Sequence, residues 1–288
     1  MFKKELVGVF GQPVDENPSV AMVQSAFDYH GLDWQYLTIE VRPEDIGAAV
    51  SGARAMGFAG FNCTIPHKVA VMEHLDEIAP SASLIEAVNC VVRRGDRLIG
   101  ENTDGRGLVR ALTPVMDPKG KSVVIFGAGG AARAIAVELA LAGASKLTLF
   151  NRGRGRGEAL VAHLNGAGIQ QQVAAFEAQF QPLNAATAIP PRTDIVINAT
   201  SVGLFPDVLA ELPINYDSLS PDMVVVDAIP NPPRTVLLKR AQEAGCQTID
   251  GLGMLVEQGR IGVEYWTGIL PDAKVMRIGL QTAFGQGE

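Results

Sequence analysis

Short apolar runs alternate with amphipathic stretches along this chain. Glu5–Phe10 is apolar with glycine and reads as a strand. Val20, Met22, Val23, Ala26 and Phe27 recur at helical spacing and predict a helix from Ser19, its capping residue, to about His30. Asp33–Val41 alternates in part, as a second strand does. Pro43–Met56 has an acidic first turn at Glu44 and Asp45 and predicts a helix. Gly60–Ile65 is a third strand ended by Pro66, and His67–Asp76 starts another helix. Ala87–Arg93 and Arg97–Gly100 read as a hairpin across Gly95-Asp96. Further on, Ser122–Phe126, Lys146–Phe150, Asp194–Asn198, Met223–Asp227 and Gln247–Asp250 read as strands. Arg106–Leu112, Ala131–Ala142 and Val236–Ala244 read as helices, and Gln170–Pro191 as a strand followed by a surface loop. The stretch from Gly251 onward is helical and apolar enough to pack back on the first part of the chain. This alternation predicts an α/β protein with mostly parallel sheets.

The pattern is sharpest between Lys121 and Arg156. A buried-type strand runs directly into Gly127, Ala128, Gly129, Gly130 and Ala131, then into helix formers closed by Gly143, then a second strand. A dinucleotide site needs this order. Gly127 permits the tight turn, Gly129 lets the backbone approach a pyrophosphate, and Ala132 lets helix and strand pack closely. The helix N-terminus supplies free N–H groups. A glycine turn that merely packs is the plain alternative. After the second strand stand Asn151 and Arg152, with Arg154 and Arg156 behind them, where an NAD site carries an acid. Guanidinium groups pair with a 2′-phosphate, so the reading is NADP over NAD.

At 288 residues the chain is long enough for two domains. The expected division is 1–105 with 255–288, and 106–254. A net charge of −7 argues against general nucleic-acid binding, which needs a basic face. Cys63, Cys90 and Cys246 lack zinc spacing and suggest reduced thiols in a cytoplasmic protein; no metal is expected. The opening residues are too short a run for a signal peptide, and no run approaches the ~20 apolar residues of a membrane helix.

Candidate chemistry lies in the first domain. Asn62 to Lys68 puts polar side chains at a strand end, where open α/β sheets keep ligands. A lysine is a poor base at its ordinary pKa of ~10.4, but burial lowers it and a carboxylate orients it. Lys68 and Asp104 are the candidate acid–base pair. Each also has a plain reading, Lys68 as a surface lysine and Asp104 as a helix cap. His67 reads as structural, Cys63 and Cys90 as small core residues, and Trp34 and Trp266 as packing.

Seven boxes resemble the shikimate dehydrogenase family, in order and over nearly the whole chain. They are Asn62–Lys68, Ala87–Cys90, Gly100–Gly105, Gly127–Ala132, Asn151–Arg156, Asn198–Gly203 and Gly251–Gln258. The resemblance implies a substrate domain from the N-terminal part plus the C-terminal helices, and a Rossmann-type NADP domain between them. It implies hydride exchange at a ring carbinol of shikimate, reversible to 3-dehydroshikimate, with Lys68 and Asp104 as the catalytic pair. It gives Thr64, Asn89 and Gln258 the ring hydroxyls, and the Gly127–Ala132 turn the pyrophosphate. Asn151, Arg152 and Arg156 take the 2′-phosphate, and Thr200 and Met254 line the nicotinamide. The partner is a small cyclic hydroxy acid, and family members are monomers or homodimers.

Two boxes depart from the family pattern. The opening box, which grips the substrate carboxylate with two serines, reads here Asp15-Glu16-Asn17-Pro18-Ser19 and keeps only Ser19, with Asn17 as a remaining donor. The family's substrate-touching tyrosine is Pro230. A hydrogen bond lost to a charged group costs ~1.5–3 kcal/mol, or one to two decades in affinity. The reading is a divergent member acting on shikimate, with quinate or another hydroxylated ring acid as alternatives. A non-catalytic NADP-binding regulator and a different two-domain dehydrogenase, such as a folate dehydrogenase, are the more distant ones.

Overall fold

The computed structural model describes residues 3–173 and 175–285. The chain divides into two compact units, one reaching to Thr103 and resuming at Val256, the other running from Asp104 to Leu255. The first unit opens with β1 (Glu5–Gly11), α1 (Ser19–Tyr29), β2 (Trp34–Glu40), α2 (Ile46–Met56), β3 (Gly60–Cys63) and α3 (His67–Ala70). It continues with β4 (Glu77–Ile78), α4 (Pro80–Ile85), β5 (Cys90–Arg94) and β6 (Arg97–Glu101). The second unit holds α5 (Asp104–Leu112), β7 (Ser122–Phe126), α6 (Gly130–Leu141), β8 (Lys146–Asn151), α7 (Arg154–Leu164), α8 (Ala167–Gln170) and β9 (Glu177–Pro182). There follow β10 (Thr187–Ala188), β11 (Ile195–Asn198), β12 (Ile214–Asn215), β13 (Val224–Asp227), α9 (Val236–Glu243) and β14 (Gln247–Ile249). Helix α10 (Gly251–Thr267) starts in the second unit and ends in the first, where α11 (Ala273–Ala283) follows.

The first unit's sheet has the order β2-β1-β3-β5-β6-β4. Its β1 pairs in parallel with β2 and β3, and the expected hairpin β5–β6 supplies the antiparallel part. Phe10 stacks on Phe61 at 4.5 Å between ring centres, within a core that includes Val50, Phe58 and Val71. Trp266 closes this unit by donating its indole N–H to the Val91 carbonyl at 3.0 Å. Two expected helices are cut short. Pro43–Asp45 is a 3₁₀ turn ahead of α2. The one expected over His67–Asp76 is α3 followed by a 3₁₀ turn, Val71–His74, whose fully buried residues are His67 and Val71, with Met72 and Leu75 half-buried against the core.

The second unit's sheet is parallel throughout, in the order β14-β13-β11-β7-β8-β9. The order reverses direction around β7, the strand that feeds the glycine turn, and such switch points are where open sheets bind ligands. Helix α5 packs against α6 with no room to spare: a Cβ at Gly105 would collide with the Ala134 carbonyl. Arg106 and the buried Glu138 pair across the same two helices at 3.3 Å. No helix among the described residues is long and apolar enough to cross a membrane.

Candidate functional site

In the first unit the polar residues at the strand ends form one hydrogen-bonded chain. The Tyr36 hydroxyl donates to Asn62 Oδ1 at 2.8 Å, and Asn62 Nδ2 donates to the Asn89 carbonyl at 3.0 Å. The Asn89 side chain is buried. Its Oδ1 accepts the Thr103 N–H at 2.7 Å, and its Nδ2 donates to Thr103 Oγ1 at 3.0 Å and to Gln258 Oε1 at 3.5 Å. Thr103 Oγ1 also lies 3.2 Å from Gln258 Oε1. Asn89, Thr103 and Gln258 thus come together although α10 supplies the last of them.

The opening box is committed inward. Asn17 Oδ1 accepts the Ser19 N–H at 3.0 Å, so Asn17, and not Ser19, turns the chain into α1; Ser19 is already helical. Burial pushes Tyr36 ionisation far above the ordinary phenol range, and the Ser19 side chain beside it pulls the other way. Asp15 and Glu16 are exposed on the same loop. Thr64 packs its methyl against Gly11, where a Cβ would collide with it.

Lys68 is the second residue of α3, half-buried. Its backbone carbonyl accepts the Val88 N–H at 2.7 Å, which ties α3 to the segment carrying Asn89. His67 beside it is fully buried and donates through Nε2 to the Val41 carbonyl at 2.7 Å, a structural bond. Burial pushes the Cys63 thiol up to about 12, offset in part by the Lys68 charge, so this cysteine is no nucleophile. Asp104 begins α5 in the second unit, directly after Thr103.

In the second unit a cleft of about 480 Å³ is lined by Gly127, Ala128 and Gly129, by Asn151, Arg152 and Arg156, and by Thr200. Gly127 has φ +109°, and a Cβ there would stand 2.7 Å from the Ala199 carbonyl oxygen. At Gly129 and Gly130 a Cβ would meet nothing, so the backbone is open to close approach. The N-terminus of α6 carries no side-chain cap, leaving its N–H groups and positive dipole facing outward. Ala131 is exposed on that first turn, and Ala132 is buried beneath it. Arg154 pairs with Glu158 at 2.7 Å, while Arg152 and Arg156 face the cleft. Asn151 Nδ2 donates to the Gly153 carbonyl at 2.8 Å and shapes the basic loop. Met254, on the first turn of α10, is buried and lies outside this lining.

Reading the chain missed several contributors. Leu183, Glu211 and Pro213 line the cleft from loops with no motif. Tyr36 looks like an ordinary strand aromatic, and its polar role depends on β1 placing β2 and β3 on either side. Asn198 and Asp227 are fully buried hydrogen-bond centres rather than cleft residues. Among the described residues no group of three or more His, Cys, Asp or Glu is arranged to hold a metal ion.

Comparison with known proteins gives three findings. Family profiles match residues 9–91 (shikimate dehydrogenase substrate binding domain), 110–205 (shikimate / quinate 5-dehydrogenase) and 251–277 (shikimate 5′-dehydrogenase C-terminal domain). The chain is 40% identical over 276 residues to shikimate dehydrogenase (NADP(+)) of Methanocaldococcus jannaschii, covering 96% of this chain and 95% of that one. Among solved structures, the ligand-free 5-ketofructose reductase of Gluconobacter sp. strain CHM43 superposes with a TM-score of 0.93 at 49% identity, covering 98% and 99% of the two chains. A shikimate dehydrogenase in complex with NADP+ superposes with a TM-score of 0.86 at 39% identity, over 97% and 95%.

Proposed function

Because this chain belongs to the shikimate dehydrogenase family, we propose that it exchanges a hydride between NADP and a carbinol or ketone carbon of a polyhydroxylated substrate, with Lys68 and Asp104 serving the proton. It is an NADP-dependent oxidoreductase. The cleft suits that cofactor. The uncapped α6 N-terminus and the open backbone at Gly129 and Gly130 favour a pyrophosphate, and Arg152 and Arg156 favour a 2′-phosphate. When bound, NADP supplies or accepts the hydride.

The chain's own residues do the rest. During reduction Lys68 Nζ gives a proton to the new alkoxide, and during oxidation it takes that proton back. Asp104 orients the ammonium and accepts from the substrate hydroxyl. Thr64, Asn89 and Gln258 read neighbouring hydroxyls, and a neutral donor–acceptor set like theirs suits alcohols. The first unit is thereby the substrate unit and the second the cofactor unit.

For the substrate we favour a carboxylate-free polyhydroxy ketone, of the kind named for the Gluconobacter reductase, over shikimate. The observation that carries this is the opening box. Asn17 and Ser19 are bonded within the protein, and Asp15 and Glu16 add negative charge on the same loop. A carboxylate there meets two acids and few donors. The second reading, shikimate, is favoured by the intact hydroxyl-reading boxes and by the relative's name. The deciding experiment follows NADPH oxidation at its absorbance band with 5-ketofructose and with 3-dehydroshikimate, and NADP reduction with shikimate and with quinate. Lys68→Ala serves as control. The expected result is kcat/KM at least about tenfold higher on the keto sugar, lost in the control. Faster turnover of the ring acids would overturn it, and no turnover at all would favour a regulatory role.

A further inference from the structure

We propose that Asp227 is the positioning residue of the nucleotide cleft: its carboxylate holds Asn198, and Asn198 holds the Thr200–Val202 turn that walls the cleft. The inference rests on reading that cleft as the NADP site. Asn198 and Asp227 end neighbouring parallel strands and stand opposite each other in register. Asn198 Nδ2 donates to Asp227 Oδ1 at 3.1 Å and to the Val202 carbonyl at 3.3 Å. Asn198 Oδ1 accepts both the N–H of Thr200, at 3.0 Å, and its hydroxyl, at 2.7 Å. Thr200 Oγ1 in turn accepts the Val202 N–H at 3.0 Å. Thr200, Ser201 and Val202 all line the cleft.

A side-chain amide can point either way round; here the Val202 carbonyl and the Thr200 N–H already favour one way, and the carboxylate, which only accepts, reinforces it. With Asp227 ionised, the NH₂ end of Asn198 must face it, and the oxygen must face Thr200. The remaining bonds to the carboxylate come from the Ile229 N–H, at 3.1 Å to Oδ1, and the Thr235 hydroxyl, at 2.7 Å to Oδ2. Ionised Asp227 therefore meets three donors, and a protonated one must turn its own O–H toward one of them. Burial pushes the Asp227 carboxyl up to about 6, against the pull of Thr235, Ile229 and Asn198. Both forms are thus within reach near neutral pH. Tyr216 is a titratable side chain that feels its charge, and it also feels Glu211 and Arg240.

The test is isothermal titration of NADP, and of NAD, into the wild-type chain, Asp227→Asn and Thr235→Val between pH 5 and 8, with circular dichroism to verify folding. NAD is included because it lacks the 2′-phosphate, whose own titration falls in this range. For the wild type, affinity for both nucleotides should fall about tenfold from pH 7 to 5. For Asp227→Asn the NAD curve should be flat and its affinity about tenfold weaker at pH 7. Thr235→Val removes a donor to the carboxylate, so its midpoint should move to higher pH. Parallel curves for the wild type and a folded Asp227→Asn, or an unmoved midpoint in Thr235→Val, would overturn the inference. Absence of binding to the wild type at every pH would overturn the cofactor reading and this inference with it.

Discussion

Asn89 and Asn198 are both buried, and both use each end of the amide, but they face different partners. The hydrogen bonds described around Asn89 run to neutral groups: the Thr103 hydroxyl and N–H, the Gln258 amide, and Asn62 on its carbonyl. Around Asn198 one partner is a carboxylate. In both, a backbone N–H that can only donate fixes the amide oxygen, Thr103 at Asn89 and Thr200 at Asn198. The carboxylate at Asn198 constrains the NH₂ end as well, and it brings a desolvation cost that varies with pH.

The largest effect should separate chemistry from both networks. Lys68→Ala should lower kcat by about 10²–10⁴-fold, while thermal unfolding and NADP affinity by titration stay where they are. A parallel loss of stability would mean that Lys68 belongs to the scaffold.

Exchanging charge between the networks comes next. Asp227 sits at about 6 in the folded chain against an ordinary 3.8. Between those values the folded state binds more protons than the unfolded, so this group's contribution to stability is full below pH 4 and is lost as pH rises through 6. The difference is about 3 kcal/mol. Asp227→Asn should flatten that slope in denaturant titrations at pH 4 to 7, and an unchanged slope would assign the pH dependence elsewhere. Conversely, Asn89→Asp should introduce a slope of the same sign and of about 3 kcal/mol. Indifference of the protein to that charge would show that water reaches Asn89.

Smaller still, Arg152→Ala and Arg156→Ala should each weaken NADP by about one to two decades and leave NAD alone, as titration calorimetry would read. Equal losses for both nucleotides would place the arginines on the pyrophosphate. At the bottom of the scale, Tyr36→Phe should remove the phenol oxygen beside the Ser19 side chain and lower KM for shikimate by about two- to fivefold. A rise in KM would mean that the phenol itself touches the ring acid.

The two networks were not equally readable from the chain. The cleft's glycine turn, its strand and its helix follow one another in sequence, and each has a local cause, so Gly127 to Ala132 is legible directly. The resemblance brought Asn89, Gln258 and Thr200 into view as residues, but not their partners. Asn198 meets Asp227 across 29 residues of chain, and only the sheet order puts their strands side by side. Tyr36 reaches Asn62 for the same reason. Helix α7 went unread because it starts inside the basic stretch and buries only Gly157, Leu160 and Leu164. Ser19 looked like a cap by residue type, yet Asn17, two positions earlier, takes the helix N–H. Side-chain competition for one donor is invisible to a rule applied one residue at a time.

The discontinuity of the first unit has a consequence for how the chain is made. Helix α1 packs between elements translated far apart. Met22 fills the space over Gly259, and Gly279 lies against Ser25 and the Ala21 carbonyl, where a Cβ would crowd them. During synthesis from the N-terminus the first unit's sheet is translated first but stays half-dressed, with Met22 uncovered, until α10 and α11 leave the ribosome. The second unit, continuous in sequence, can fold in the meantime. The order of emergence and the order of completion are therefore opposite, and the first unit is the nascent chain's sticky stage.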